Sequence, residues 1–277
     1  MPDTLPPPED LLPTVIEIAR AAGDVLLAHD RPVPHGVVRL KGRRDPVTDA
    51  DLASERLIVE RLRAAFPGTA IFAEEETREE ADGRPIWYID PLDGTVNFSQ
   101  AHPFFAVSIA LCDAEGPVVG VVFAPRLGEL FAAARGAGAT LNGKPLQVSR
   151  KTDLIDAVLA TGFAYRRDEL PDSNVEHFAE MVMRVRGMRR AGSAALDLAY
   201  TAAGRIDGYW EPHLNPFDMA AGALLVSEAG GRVTDMAGGD DWLLGGTVVA
   251  GGEALHAHIL EVLDIADLSA VTGPVGA

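Results

Sequence analysis

The chain has 277 residues, 47% hydrophobic and 23% charged, the make-up of an ordinary globular protein with ample length for a core. Its 24 Lys+Arg against 41 Asp+Glu give a formal net charge of -17, which opposes nonspecific attraction to nucleic acid. The same field repels a phosphate, so a site for anionic substrates in this chain needs bound cations. No apolar run is long enough to span a bilayer, and Met1 to Pro13 carries acids and prolines instead of a basic stretch followed by an apolar one. The expectation is a cytoplasmic protein with no membrane span, its single Cys112 a buried thiol inside the apolar run Phe105 to Cys112.

Leu11, Val15, Ile18, Ala22, Val25 and Leu26 recur near helical spacing and predict an amphipathic helix over 9–29, with Pro13 tolerable in a first turn. Arg31 to Arg44, rich in Pro, Gly and basic residues, reads as a loop or short hairpin and contains Lys41. Then comes Asp45-Pro46-Val47-Thr48-Asp49-Ala50-Asp51, where Thr48 and Asp51 form a capping box for a helix that stops at Pro67-Gly68. Ala70 to Ala73 is a short strand running into Glu74-Glu75-Glu76. Glu74 is a candidate metal ligand there, while Glu76, Glu79 and Glu80 read as a solvated charge run.

The stretch Trp87-Tyr88-Ile89-Asp90-Pro91-Leu92-Asp93-Gly94-Thr95-Val96-Asn97-Phe98 organises the rest. Ile86 to Ile89 is apolar, β-branched and aromatic, hence a buried strand, and Pro and Gly then predict a tight turn carrying Asp90 and Asp93. Thr95 is placed to cap a following helix. Paired carboxylates beside a helix N-terminus suit Mg²⁺ and a phosphate; an Asp-capped type I turn explains the same residues without any ligand.

Phe105 to Leu111, Val118 to Ala124 and Glu129 to Ala134 follow as strands, with a hairpin turn at Asn142-Gly143, so the middle of the chain reads as an antiparallel meander. From about residue 150 the pattern alternates: strands at 157–160, 188–190, 206–210, 232–234 and 247–250, helices at 175–185, 194–203, 218–229 and 253–263. This gives an N-terminal α+β half over 1–150 and a C-terminal α/β half over 151–277, with no linker between them. Asp218 at a helix start is explained by capping alone, and Gly192-Ser193-Ala194 at another reads as ordinary capping or else as a second phosphate-side or hydroxyl contact. Glu74, Asp90, Asp93 and Asp218 share a second property: each stands at a strand end or a helix start, where α/β folds place ligands.

Those motifs, in order over residues 10–263, resemble the inositol monophosphatase family of lithium-sensitive, magnesium-dependent phosphatases. The likeness is carried by Asp45 to Asp51, Glu74-Glu75, Asp90-Pro91-Leu92-Asp93-Gly94-Thr95-Val96-Asn97-Phe98, Gly192-Ser193-Ala194-Ala195, and Trp210-Glu211 through Asp218 to Gly231. The resemblance implies a layered αβαβα sandwich, a homodimer, and hydrolysis of a small phosphorylated polyol or sugar with two or three Mg²⁺ per site. It implies that Glu74, Asp90 and the Leu92 carbonyl hold one ion that activates water, and that Asp90, Asp93 and Asp218 hold another at the leaving oxygen. Gly94 and Thr95 would hold the phosphate through their amides. The Thr95 hydroxyl and Asp51 would orient the water, with Glu74 as competitor for that role, and Lys41 with Asp51 would shape a weaker third metal site. Gly192, Ser193, Ala194 and Glu211 match the positions that face substrate hydroxyls, beside Asp93 and Asp218.

The sequence departs from the family's pattern at Phe217, where Trp is usual, at Gln100-Ala101-His102, and at Pro212-His213. None of these removes a ligand. His102 and His213, without an evident partner, read as packing or surface groups. Thr95-Val96-Asn97-Phe98 resembles inositol monophosphatases more than relatives acting on 3′-phosphoadenosine 5′-phosphate, whereas histidinol phosphate and fructose 1,6-bisphosphate are substrates of near relatives. A regulatory binding protein that keeps the fold is the reading from a different class.

Overall fold

The computed structural model describes residues 6–29, 39–42, 45–170 and 172–266. The helix α1, Pro8–His29, buries Leu11, Val15, Ile18, Ala19, Ala22 and Leu26 on one face, as its periodicity predicts. The predicted 31–44 loop is in part a hairpin: β1, Arg39–Gly42, pairs antiparallel with β2, Asp45–Val47, and the remainder of that segment lies outside the described residues. The helix α2, Asp49–Ala65, opens on the Thr48 and Asp51 capping box.

Seven strands form the first sheet: β3 Ala70–Ala73, β4 Ile86–Asp93, β5 Ala106–Asp113, β6 Gly116–Ala124, β7 Glu129–Ala134, β8 Gly138–Leu141 and β9 Lys144–Pro145, in that spatial order. The short helix α3, Thr95–Ser99, lies between β4 and β5. Only the β3 and β4 pair is parallel; the rest is the expected antiparallel meander. The second sheet holds β10 Val158–Thr161, β11 Gly187–Arg189, β12 Gly208–Pro212, β13 Arg232–Thr234 and β14 Thr247–Gly251, in the order β11-β10-β12-β14-β13. Its helices are α4 Val175–Val182, α5 Ala194–Ala202, α6 Pro216–Glu228, α7 Trp242–Gly245 and α8 Glu253–Ala266.

Helices α1 and α2 cover the outer face of the first sheet, α5 and α6 fill the space between the sheets, and α4 and α8 cover the outer face of the second. The layering is therefore αβαβα. Sandwiched between two sheets, α6 has almost no polar face: Met219, Ala220, Ala221, Leu224, Leu225 and Val226 are all buried. Small residues let it approach the sheet closely, since a Cβ on Gly120 of β6 would come within 2.9 Å of the Ala221 Cα. Cys112 is buried and free, as expected. Among the described residues no helix is long and apolar enough to cross a membrane.

Two local expectations are corrected. The strand β4 does not end at Ile89 in a turn; it runs on to Asp93, with Asp90 paired to Ser108, Asp93 to Ala106, and a bulge between them. Pro91, which has no N–H to give to a ladder, occupies that bulge, and the Ser54 hydroxyl donates to its carbonyl at 2.9 Å. Nor does Thr95 cap α3. Gly94 is the capping residue, at φ 93°, and Thr95 is the first helical residue, its hydroxyl bonded elsewhere.

Candidate active site

The bulge in β4 turns both aspartates toward the end of the first sheet, and the parallel strand β3 delivers Glu74 beside them. From the far half, Asp218 arrives in the first turn of α6, where Asn215 N donates to its Oδ2 at 2.6 Å. Capping thus uses one of its oxygens, and its charge still acts on Glu74 and Asp93. The positional expectation holds for Glu74, Asp93 and Asp218 and fails for Asp90, which lies inside β4 beside its bulge; the charges of all four act on one another, with Asp90 and Asp93 buried and Glu74 and Asp218 half-buried.

Electrostatics show what this proximity costs. Burial, then repulsion from Glu74, Asp93 and Asp218, pushes the Asp90 carboxyl well above the usual carboxylate range. Burial and Glu74 do the same to Asp218. Burial lifts Asp93 to about 6 against the pull of the Ser193 hydroxyl and the Ala195 amide. Glu74 is raised by burial and held down by Lys41 and by a hydrogen bond with Asp90. The Lys41 ammonium lies 2.6 Å from Glu74 and 2.9 Å from Glu75; burial works against its charge, but the two carboxylates outweigh it and hold its pKa above the usual lysine value.

Hard oxygen donors, crowded and buried, are the chemistry that suits Mg²⁺. Glu74, Asp90, Asp93, Asp218 and the Leu92 carbonyl are the groups available to hold it. Among the described residues no three acidic, histidine or cysteine side chains are already closed around a common point. Each carboxylate is drawn to its own protein donor: Glu74 to Lys41, Asp90 to the Leu92 amide at 2.9 Å, Asp93 to Ser193 at 2.6 Å, Asp218 to Asn215. The donor set therefore fits the ion in type and charge, while its side chains rest on protein partners.

Asp51 is buried behind this cluster. Its Oδ2 accepts from the Thr48 hydroxyl at 2.5 Å and its Oδ1 from the Thr95 hydroxyl at 3.0 Å, and burial nonetheless pushes it up to about 6. The Thr95 hydroxyl is also 3.0 Å from the Leu92 carbonyl; one proton serves only one of these acceptors at a time.

On the far side, Ser193 caps α5 and its hydroxyl donates to Asp93 Oδ2, joining the two halves of the chain. Ala195 N donates to the same oxygen at 2.8 Å. Gly94 has to be glycine, because at its positive φ a Cβ would meet the Phe104 carbonyl at 3.0 Å. Glu211 is buried in β12, accepts from the Tyr209 hydroxyl, and is lifted by burial to about 7. A cavity of about 990 Å³ links these groups: Lys41, Glu74, Asp93 and Asp218 on one part of its wall, Gly192 to Ala194 and Glu211 on another.

Several residues of the site have roles that the sequence does not show. Asn97 donates from Nδ2 to the Phe104 carbonyl at 2.7 Å and to Ala191 at 2.9 Å, fastening α3 to the loop before α5. The buried Glu55 accepts from the amides of Glu75, Glu76 and Thr77, each at 2.8 Å, and so fixes the loop that presents Glu74. Gly162 makes room for Glu211: a Cβ there would lie 2.0 Å from its Oε2. Asp197 and Arg190 also stand in the cavity wall. The charge run after Glu74 is less free than expected, since Glu76 pairs with Arg56 and Glu79 with Arg63. His102 is exposed, in keeping with its bland reading, whereas His213, exposed with one ring nitrogen 2.9 Å from the Asp172 carbonyl, also stands in the cavity wall.

A layered α/β sandwich with a carboxylate-lined cavity between its two sheets defines the class of fold. The chain belongs to the inositol monophosphatase family, whose family model matches residues 8–267. It is 44% identical over 261 residues to the Nus factor SuhB of Pseudomonas aeruginosa, covering 92% of this chain and 96% of that one. It is 42% identical over 255 residues to the inositol-1-monophosphatase of Mesorhizobium japonicum, covering 91% and 96%. The solved structure of the inositol monophosphatase from Anabaena (Nostoc) superposes with a TM-score of 0.85 at 40% identity, covering 93% of this chain and 96% of that one.

Proposed function

We propose that this protein is a Mg²⁺-dependent phosphate monoester hydrolase whose substrate is inositol 1-phosphate or a closely related polyol phosphate, and that it works as a homodimer. The observation that carries the reading is the cluster of Glu74, Asp90, Asp93 and Asp218, drawn from both halves of the chain and mutually repelling, with Glu74, Asp93 and Asp218 in the wall of one cavity and Asp90 buried beside them. A turn or a helix cap needs none of that convergence. In this reading Glu74, Asp90 and the Leu92 carbonyl would hold one cation, and Asp90, Asp93 and Asp218 would hold another. When bound, the cations supply Lewis-acid activation of water and neutralise charge developing on the leaving oxygen.

The chain's own groups do the rest. The Gly94 and Thr95 amides hold phosphate oxygens at the start of α3. The Thr95 hydroxyl, able to donate to Asp51, accepts the proton of the attacking water and passes one on, so that Asp51 Oδ1 ends as the proton's resting place. Glu74, raised by burial, is the competing base. As the water oxygen bonds to phosphorus the ester P–O bond breaks with its electron pair on the departing oxygen, which takes a proton from a second water molecule and leaves as the alcohol along the wall formed by Gly192, Ser193, Ala194 and Glu211. A phosphate-release assay on inositol 1-phosphate is expected to require Mg²⁺ and to lose turnover in Li⁺, whose single charge gives weaker electrostatic stabilisation in a site of the same size. Turnover undiminished by excess chelator would overturn the reading.

Glu211→Gln separates alcohol recognition from chemistry. A charged hydrogen bond is worth about 1.5–3 kcal/mol, so kcat/KM on inositol 1-phosphate is expected to fall roughly tenfold to hundredfold while a simple aryl phosphate is spared. Equal losses on both would move Glu211 into the reacting shell. The name Nus factor, borne by relatives more than 40% identical, supports a second role as a binding partner beside catalysis. The net charge of -17 bears only on nonspecific attraction to nucleic acid and leaves such a role open.

A further inference from the structure

Asp197 has no part in the chemistry described so far, yet it stands in the wall of the candidate cavity. It lies in the first turn of α5, 2% exposed, and forms part of the wall of the cavity that also holds Asp93 and Glu211. Its Oδ1 is buried with no hydrogen-bond partner among the described residues. A first-turn acid is favourable to a helix, but an exposed one serves the dipole without the penalty of an unpaired buried acceptor. Burial, then repulsion from Glu211 and Asp93, pushes the Asp197 carboxyl well above the usual carboxylate range, and Arg190, exposed in the same wall, pulls the other way.

Glu211 is its counterpart. The Tyr209 hydroxyl donates to Glu211 Oε2, and the missing side chain at Gly162 leaves Glu211 its place. Both carboxyl groups stand in the wall of the one cavity, near enough that the charge of Glu211 acts on Asp197.

Building on the phosphatase reading above, we infer that Asp197 and Glu211 form a two-carboxylate subsite that takes the hydrogen-bond donors of the leaving alcohol, with Asp197 Oδ1 accepting from a hydroxyl or an ammonium group of the substrate. Asp197 is a specificity-determining residue in this arrangement and takes no part in the P–O bond change. The occupant completes the hydrogen bond that the protein leaves open.

Steady-state kinetics of the full chain in saturating Mg²⁺ test this with Asp197→Ala and Asp197→Asn. The substrates are inositol 1-phosphate, histidinol phosphate, and 4-nitrophenyl phosphate, whose leaving group carries no donor. Asp197→Ala is expected to raise KM about tenfold to hundredfold on whichever donor-bearing ester the parent hydrolyses, with kcat changed by less than about threefold and the aryl ester within about twofold. Asp197→Asn keeps an acceptor but no charge: a mild loss identifies a hydroxyl as the occupant, a loss equal to that of Ala identifies an ammonium. Thermal unfolding of both variants serves as the folding control, and the isosteric Asn variant carries the test if Ala fails to fold. Equal losses on all three esters, or unchanged KM on the donor-bearing ones, would overturn the assignment of Asp197 alone. A parent inactive on every ester would overturn the phosphatase reading and this subsite with it.

Discussion

Asp90→Asn is expected to lower turnover by on the order of a thousandfold or more, about 4 kcal/mol of transition-state stabilisation, while leaving the metal-free protein as stable as the parent or slightly more so. Asp90 is the cleanest probe in the cluster because burial, then repulsion from Glu74, Asp93 and Asp218, raises its pKa, and the backbone donor it uses among the described residues is the Leu92 amide. An asparagine carbonyl can still accept from that amide, and its NH₂ can donate to Glu74, so the metal-free fold loses a charge and little else. Asp93 is a poorer probe. Its Oδ2 takes both the Ser193 hydroxyl and the Ala195 amide, so a change there also loosens the junction between the two halves. Thermal unfolding in chelator and in saturating Mg²⁺, beside a phosphate-release assay, checks the expectation. Mg²⁺ should raise the parent's Tm more than the variant's, since a ligand of the native state stabilises in proportion to RT ln(1 + [L]/Kd). A variant clearly destabilised in chelator yet fully active would mean that Asp90 is a structural residue of the bulge and that the metal reading is wrong.

In chelator, the parent is expected to lose stability as pH rises from about 4 to 7, and Mg²⁺ is expected to abolish most of that loss. Folding raises Asp51 and Asp93 from 3.8 to about 6 and Glu211 from 4.5 to about 7, and raises Glu74, Asp90 and Asp218 as well. A carboxyl whose pKa is higher folded than unfolded binds its proton more tightly in the native state. Its contribution is therefore fully present below the unfolded pKa and is lost as pH climbs through the folded one. At about 1.4 kcal/mol for each unit of pKa, groups raised by about two units together account for a change on the order of several kcal/mol, less than their sum because they interact. Bound cations supply the opposite charge and remove the need for those protons. Urea unfolding at pH 4.5 and pH 7.5, each with chelator and with Mg²⁺, reads the effect. Metal-free stability that is flat or rises over this interval would show that the carboxylates are not crowded as described.

Local signals carried most of the secondary structure. The spacing of Leu11, Val15, Ile18 and Ala22 makes α1 recognisable, Thr48 with Asp51 marks the start of α2, and the alternation after residue 150 separates the second sheet from the first. The errors lie where a local rule met a tertiary demand. Asp-Pro-Leu-Asp-Gly satisfies the preferences of a tight turn, but Asp90 and Asp93 each find a partner on β5, so the strand continues and the proline is absorbed in a bulge. Thr95 has the right chemistry for a cap, yet Gly94 alone accepts the positive φ at that position, which leaves the Thr95 hydroxyl free to reach Asp51 and Leu92. The brief α7 was not anticipated, four residues being too few to show a period.

By itself the sequence determined which residue types stand at strand ends and helix starts, because capping, turn chemistry and hydrophobic period are properties of neighbours along the chain. It thereby determined that Glu74, Asp90, Asp93 and Asp218 are candidates for one site, and, through the order of the motifs, the family. Only the tertiary structure decided that four acids spanning residues 74–218 come close enough for their charges to act on one another, that Ser193 of one half holds Asp93 of the other, and that Glu55 pins the Glu74 loop by three amides. It also decided that Asp197, which reads in the sequence as an ordinary first-turn acid, is buried without a partner in the cavity wall. Burial and charge proximity depend on what packs against a residue from distant parts of the chain, and no local pattern encodes that.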